Sequence, residues 1–160
     1  ECGIRIGALI TKNEKVRKAV MKFCQARLSP PLIGQVVAEA SLDVPEDYLR
    51  DTYDEYVERR KCLIDGLNMI PGVYSPIPMG AFYTVAKLPV DDAEKFCAWC
   101  LSDFEYEGET VFMAPAAGFY TTPGLGVNEV RIAYVLNKSD LNRALFILSK
   151  ALEAYPGKTE

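Results

Sequence analysis

The sequence predicts an α+β fold: helices packed on a small antiparallel or mixed sheet, in the order β, three helices, then ββαββα. Three observations lead there. Five stretches carry apolar residues at helical spacing, several shorter ones are β-rich or alternate with period two, and proline–glycine pairs punctuate them. The length of 160 residues, 49% of them hydrophobic, suits one good core and an appendage.

The elements follow in order. "GIRIGALI" (3–10) reads as a short buried strand separated by three helices from the other strands, a piece that belongs to another sheet. "NEKVRKAVMKFCQARL" is a helix, with Val16, Val20, Phe23, Cys24 and Arg27 at helical spacing. Ser29-Pro30-Pro31 breaks it, and "LIGQVVAEASL" forms a second helix. Pro45 opens a long amphipathic helix through Leu49, Tyr53, Tyr56, Leu63, Leu67 and Ile70, stopped by Pro71-Gly72. Strands are expected at Val73–Ser75 and Phe82–Leu88. The helix of "VDDAEKFCAWCLSDFEYE" follows, with acidic residues in its first turn as the helix dipole prefers. Strands at Thr110–Ala114 and Val130–Leu136 come next. A last helix carries Leu141, Leu145, Leu148 and Leu152 on one face and ends at Pro156-Gly157.

Composition excludes several functions. A net charge of −4 argues against a nucleic-acid partner, and no apolar run approaches the ~20 residues that span a bilayer. With no histidine there is no Ser–His or Cys–His pair, no histidine general base and no His-ligated metal. Five scattered cysteines read as reduced, in a cytoplasmic protein. "CAWC" is not a thioredoxin-type motif, because "DDAEKF" has already started the helix and Cys97 lies beyond the N-terminal turn that lowers a thiol pKa. Nor does it have two further plausible ligands for zinc.

The chemistry concentrates around "NEVRIAYVL" (128–136). Val130, Ile132 and Tyr134 alternate with Arg131, Ala133 and Val135, and Arg131 is the charge in an otherwise apolar strand. Either it pairs with a neighbour such as Glu129, or its planar fork waits for a carboxylate ligand. The preceding run from Thr110 to Asn128 holds no charge but several large apolar side chains, Phe112, Met113, Phe119, Tyr120 and Leu125 among them. It reads as the wall of a small-molecule site or as a loop packed on another domain. A second strand arginine, Arg5, lies between Gly3 and Gly7, where a phosphate could approach. From spacing and composition alone, the chain is a small-acid-binding α+β domain.

Taken together these pieces resemble the C-terminal portion of fold-type I pyridoxal-phosphate-dependent aminotransferases, the aspartate aminotransferase superfamily. "GIRIG" is similar to the family's Gly-x-Arg-x-Gly strand, "PEDYLRDTYDEYVERRKCLIDGL" to its long connecting helix, "PMGAFYTV" to its Gly-x-Phe strand, and "VFMAPAAGFYTTPGLGVNEVRIAY" to its proline-led loop and Asn-x-x-Arg-Ile strand. The resemblance covers essentially the whole chain in the right order. It implies that Arg131 binds the substrate α-carboxylate, that Phe82 lies beside the substrate, and that Arg5 meets the cofactor phosphate. It places residues 1–44 in the tail of the large cofactor-binding domain with its connecting helices, and 45–160 in the small domain.

Other implications concern what is absent. The Schiff-base lysine is expected just before Glu1, so none of the ten lysines here is catalytic, and the missing large domain would supply the other cofactor contacts. The resemblance implies pyridoxal 5'-phosphate as cofactor in the parent, an amino acid and a 2-oxo acid as substrates, and a homodimer. The fragment alone is expected to be inactive. "PAAGFY" departs from the commoner Pro-Gly start of that loop. A different class remains beside this one: a free-standing amino-acid-binding or regulatory module without catalysis.

Overall fold

The computed structural model describes residues 2–159. The chain divides into two compact units, Glu1–Arg50 and Asp51–Glu160. The first begins with a single 3-10 turn, Cys2–Ile4, followed by helices α1 (Glu14–Arg27) and α2 (Leu32–Ala40) and a 3-10 turn at Ser41–Asp43. Asn13 caps α1: its side-chain oxygen accepts from the Lys15 and Val16 amides at 3.1 and 3.2 Å. None of the residues of α1 is buried. Gly34 of α2 is buried, and a Cβ there would lie 3.0 Å from the Ile4 carbonyl oxygen, so a larger residue would push the turn away.

The buried strand expected over 3–10 does not form. After the Cys2–Ile4 turn, residues 5–10 run without strand pairing, Arg5 has a φ of 55°, and Ile10 is 94% exposed. A strand is stabilised by a partner, and among the described residues of this unit none is a strand. Apolar composition could not supply the missing edge.

The second unit holds most of α3 (Glu46–Met69), then β1 (Tyr83–Lys87), α4 (Ala93–Ser102), β2 (Ala114–Pro115), β3 (Glu129–Ala133) and α5 (Lys138–Ala154). Here the α+β architecture is as expected. The sheet is antiparallel, in the order β1-β3-β2. The strand expected at Val73–Ser75 is reduced to one bridge, Tyr74 with Lys87. That expected at Thr110–Ala114 pairs only from Ala114, which with Pro115 forms the short β2.

Alternation along β1 and β3 sorts the side chains. Thr84, Ala86 and Val130 are buried on the core face, toward the residues of α3, α4 and α5 that share that core. Leu63 and Leu67 of α3, Phe96 and Cys100 of α4, and Leu141, Leu148, Ala151 and Leu152 of α5 fill it. Leu49 and Tyr53, on the same periodic face of α3, stay exposed. Asp92 and Asn137 cap α4 and α5 through side-chain oxygens.

Burial decides the chemistry of "CAWC". Cys97 and Cys100 are free and buried within α4, and desolvation pushes their thiols up to about 11 and about 12. Such groups are almost wholly un-ionised at neutral pH and are poor nucleophiles. Alkylation of the native protein with iodoacetamide, read by peptide mass spectrometry, should modify exposed Cys24 long before either of them. Equal rates at Cys24 and Cys97 would contradict the burial.

Candidate carboxylate site

Arg131 is the central residue of the central strand. Val85 of β1 and Ala114 of β2 flank it in register, and it projects from the face opposite the core. Two aromatic rings receive its guanidinium: Cζ lies 5.1 Å from the centroid of Tyr83 and 4.5 Å from that of Phe119. Cation–π contacts of this kind are worth roughly 0.5–1 kcal/mol each at exposed sites. They act on the cation's charge and do not use its N–H donors.

Tyr83 opposes Ala133 in the ladder, two residues along β3 from Arg131, so the two side chains share a face on a diagonal. Phe119 arrives on a 3-10 turn, Ala117–Phe119, inside the uncharged loop. That loop is tied down at both ends. The Ala116 amide donates to the Glu129 carbonyl at 2.8 Å, and the Ala93 and Leu88 amides donate to the carbonyls of Val127 and Asn128 at 2.7 and 2.9 Å.

The neighbour that could have satisfied Arg131 is otherwise engaged. Glu129 Oε2 accepts a hydrogen bond from the Tyr120 hydroxyl at 2.5 Å, which raises the Tyr120 pKa. Among the described residues no carboxylate pairs with Arg131. Of the two readings left open by the sequence, pairing with Glu129 is not the one adopted.

Phe82 immediately precedes β1 and is 36% exposed. Its ring meets that of Tyr83 edge-on at 5.3 Å, so Tyr83 lies between Phe82 and Arg131 and touches both. Tyr134, almost wholly buried, fixes this corner. Its amide donates to the Phe82 carbonyl at 2.9 Å and its hydroxyl to the Ala81 carbonyl at 2.7 Å, holding Ala81 at a φ of 60°. Burial raises the Tyr134 phenol above its ordinary value, which keeps it a donor. Tyr83 and the Tyr120–Glu129 pair escaped the sequence reading. Their signal was there only in part: Tyr83 directly follows Phe82, but its alignment with Arg131 depends on cross-strand register.

Arg5 lies in the first unit. With Gly7, Gln25, Arg27 and Ser29 it lines a concavity of about 480 Å³ between the N-terminal segment and α1. Two guanidiniums and a hydroxyl suit a phosphate. Among the described residues the lining contains no lysine and no carboxylate, so this donor set fits the phosphate end of a pyridoxal cofactor and no other part of it. The expected lysine before Glu1 lies outside the described residues. Among those residues, no cluster of three or more metal-ligating side chains occurs, and no helix is long and apolar enough to cross a membrane.

Comparison with known proteins places this geometry in context. No family model matches the chain. The aspartate aminotransferase of Rhizobium meliloti (strain 1021) is 27% identical over 94% of the chain. A crystal structure of an aminotransferase from Mycobacterium tuberculosis superposes with a TM-score of 0.74 at 28% identity, covering 96% of this chain and 39% of that one. The α-aminoadipate aminotransferase LysN from Thermus thermophilus, solved with N-(5'-phosphopyridoxyl)-L-leucine, shares the fold at a TM-score of 0.72 and 23% identity, over 90% of this chain and 36% of its own. The chain spans about 37% of the length of the curated relative. In sequence and in fold, the chain is similar to aminotransferases over just over a third of their length.

Proposed function

We propose that the chain is the C-terminal, substrate-carboxylate-binding part of a pyridoxal-phosphate-dependent aminotransferase that exchanges an amino group between an amino acid and a 2-oxo acid. One observation carries the reading: a half-buried guanidinium, centred on the open face of the sheet between Tyr83 and Phe119, to which no described carboxylate is bonded. Arg131 holds the α-carboxylate by two parallel charge-assisted hydrogen bonds, which fixes the orientation of the acid. Phe82 and Tyr83 form an apolar wall beside it. Arg5, with Arg27 and Ser29 nearby, takes the phosphate of the cofactor. Pyridoxal phosphate, when bound, supplies the electron sink for the substrate's α-carbon.

Within this reading the lysine that bonds the cofactor lies upstream of Glu1, and the large domain supplies the remaining contacts, in a homodimer. These 160 residues alone bind an acid and do not transaminate. Incubation with pyridoxal phosphate, borohydride reduction and peptide mass spectrometry test this directly. The expected result is scattered, substoichiometric labelling of the ten lysines. A stoichiometric adduct on one of them would place the reactive amine within this chain and overturn the proposed inactivity.

A further inference from the structure

Glu129 and Arg131 project from one face of β3, two residues apart, with Cα atoms about 7 Å from one another in an extended strand. A glutamate and an arginine at that spacing reach each other easily. Such a pair would occupy the fork and neutralise it. Instead, the Glu129 carboxylate is held by the Tyr120 hydroxyl.

The placement of Tyr120 is itself determined by the loop. Its amide donates to the Ala117 carbonyl at 3.2 Å, closing the turn that also carries Phe119. Its ring lies against Gly126, where a Cβ would come within 2.5 Å of Cε2 and 2.6 Å of Cδ2. Gly126 has a φ of 72°, and its carbonyl accepts from the Glu129 amide at 3.1 Å. The turn that makes room for the Tyr120 ring therefore also sets the start of β3 and the position of Glu129.

We propose that Tyr120 is a positioning residue, a latch that holds Glu129 off Arg131 and so keeps the guanidinium fork open to an external carboxylate. The latch rests on the reading of Arg131 as the substrate-carboxylate site. When it is broken, Glu129 turns onto Arg131, competes for its donors and repels an incoming acid.

The test is Tyr120→Phe in the full chain, with pyruvate as probe at constant ionic strength and the Arg131 guanidinium followed by NMR. In the variant, Arg131 should show the slowed guanidinium rotation of an ion pair. Pyruvate affinity should fall about three- to fivefold, the scale of competition from a partly exposed pair. Tyr120→Phe combined with Glu129→Gln should return the affinity to within about twofold of the original, as a pair that is no longer charged competes little. A purely structural role for Tyr120 would not be rescued by changing Glu129, so loss without rescue overturns the latch. Unchanged Arg131 signals and affinity in Tyr120→Phe also overturn it, while leaving the carboxylate site intact. If instead the ion pair forms but pyruvate binds equally to the original protein and to Arg131→Gln, the carboxylate reading itself fails, and the latch with it.

Discussion

Replacing Arg131 by glutamine should abolish measurable carboxylate binding. Pyruvate titrated into the original chain should give saturable shifts at Arg131, Tyr83 and Phe119, and none of these in the variant. Truncating one partner of a hydrogen-bonded charge pair costs roughly 2–5 kcal/mol, at least about thirtyfold in affinity. In a complete aminotransferase the same loss should appear in kcat/KM for both the amino acid and the 2-oxo acid, because both carry the α-carboxylate. Arg131→Lys should rescue only part of it. Lysine presents a point charge without the planar fork, so it would keep attraction but lose bidentate orientation. Matched chloride controls separate site binding from screening, since an exposed interaction weakens with salt whatever the ligand. An Arg131→Gln protein that titrates like the original would remove Arg131 from the site.

Arg131 stood out in the sequence because the period of two in "NEVRIAYVL" fixed which neighbours share its face. That pattern is local, and β3 forms over Glu129–Ala133, three residues short of the expected end at Leu136. What surrounds the arginine was less legible, because it depends on pairing at a distance. Tyr83 reaches Arg131 only through the register that sets Tyr83 opposite Ala133. Tyr120 reaches Glu129 across nine residues, through a turn whose shape requires Gly126 at positive φ. The same distinction explains the misread segments. "GIRIGALI" has the composition of a strand, yet a strand needs an edge to pair with, and the first unit gives none among its described residues. The apolar residues Val111 and Met113 are buried as a strand reading of 110–114 implies, but their backbone does not pair until Ala114. Burial is readable from side-chain type; pairing is not.

The second large effect should come from the core that supports the site. Phe96→Ala should lower the melting temperature of the second unit by roughly 10–20 °C, from a loss of about 3–5 kcal/mol. Phe96 has no exposed surface, and its ring contacts Tyr155 at 5.0 Å edge-on and Trp99 at 6.3 Å. Its removal leaves a cavity that these larger rings cannot fill without leaving their own contacts. Tyr155 is further constrained by its hydroxyl, which donates to Asp91 at 3.1 Å, and by Gly157, where a Cβ would strike its ring at 2.7 Å. The neighbourhood therefore has little freedom to collapse, the condition under which large-to-small changes cost most. Trp99 is the chain's single tryptophan, so its fluorescence reports this cluster directly. Phe112→Ala is the control of equal chemistry: Phe112 is 83% exposed and its loss should move the transition by no more than about 2–3 °C. The consequence for the site follows from the chain's connections. α4 starts with the Ala93 amide bonded to the Val127 carbonyl, at the end of the loop that carries Phe119 and Tyr120. Below its lowered transition, Phe96→Ala should still bind pyruvate, because that hydrogen bond and the β3 ladder survive while α4 stays docked. Binding should disappear with the Trp99 signal on heating, and a variant that kept the original melting temperature would show that Phe96 does not anchor this core.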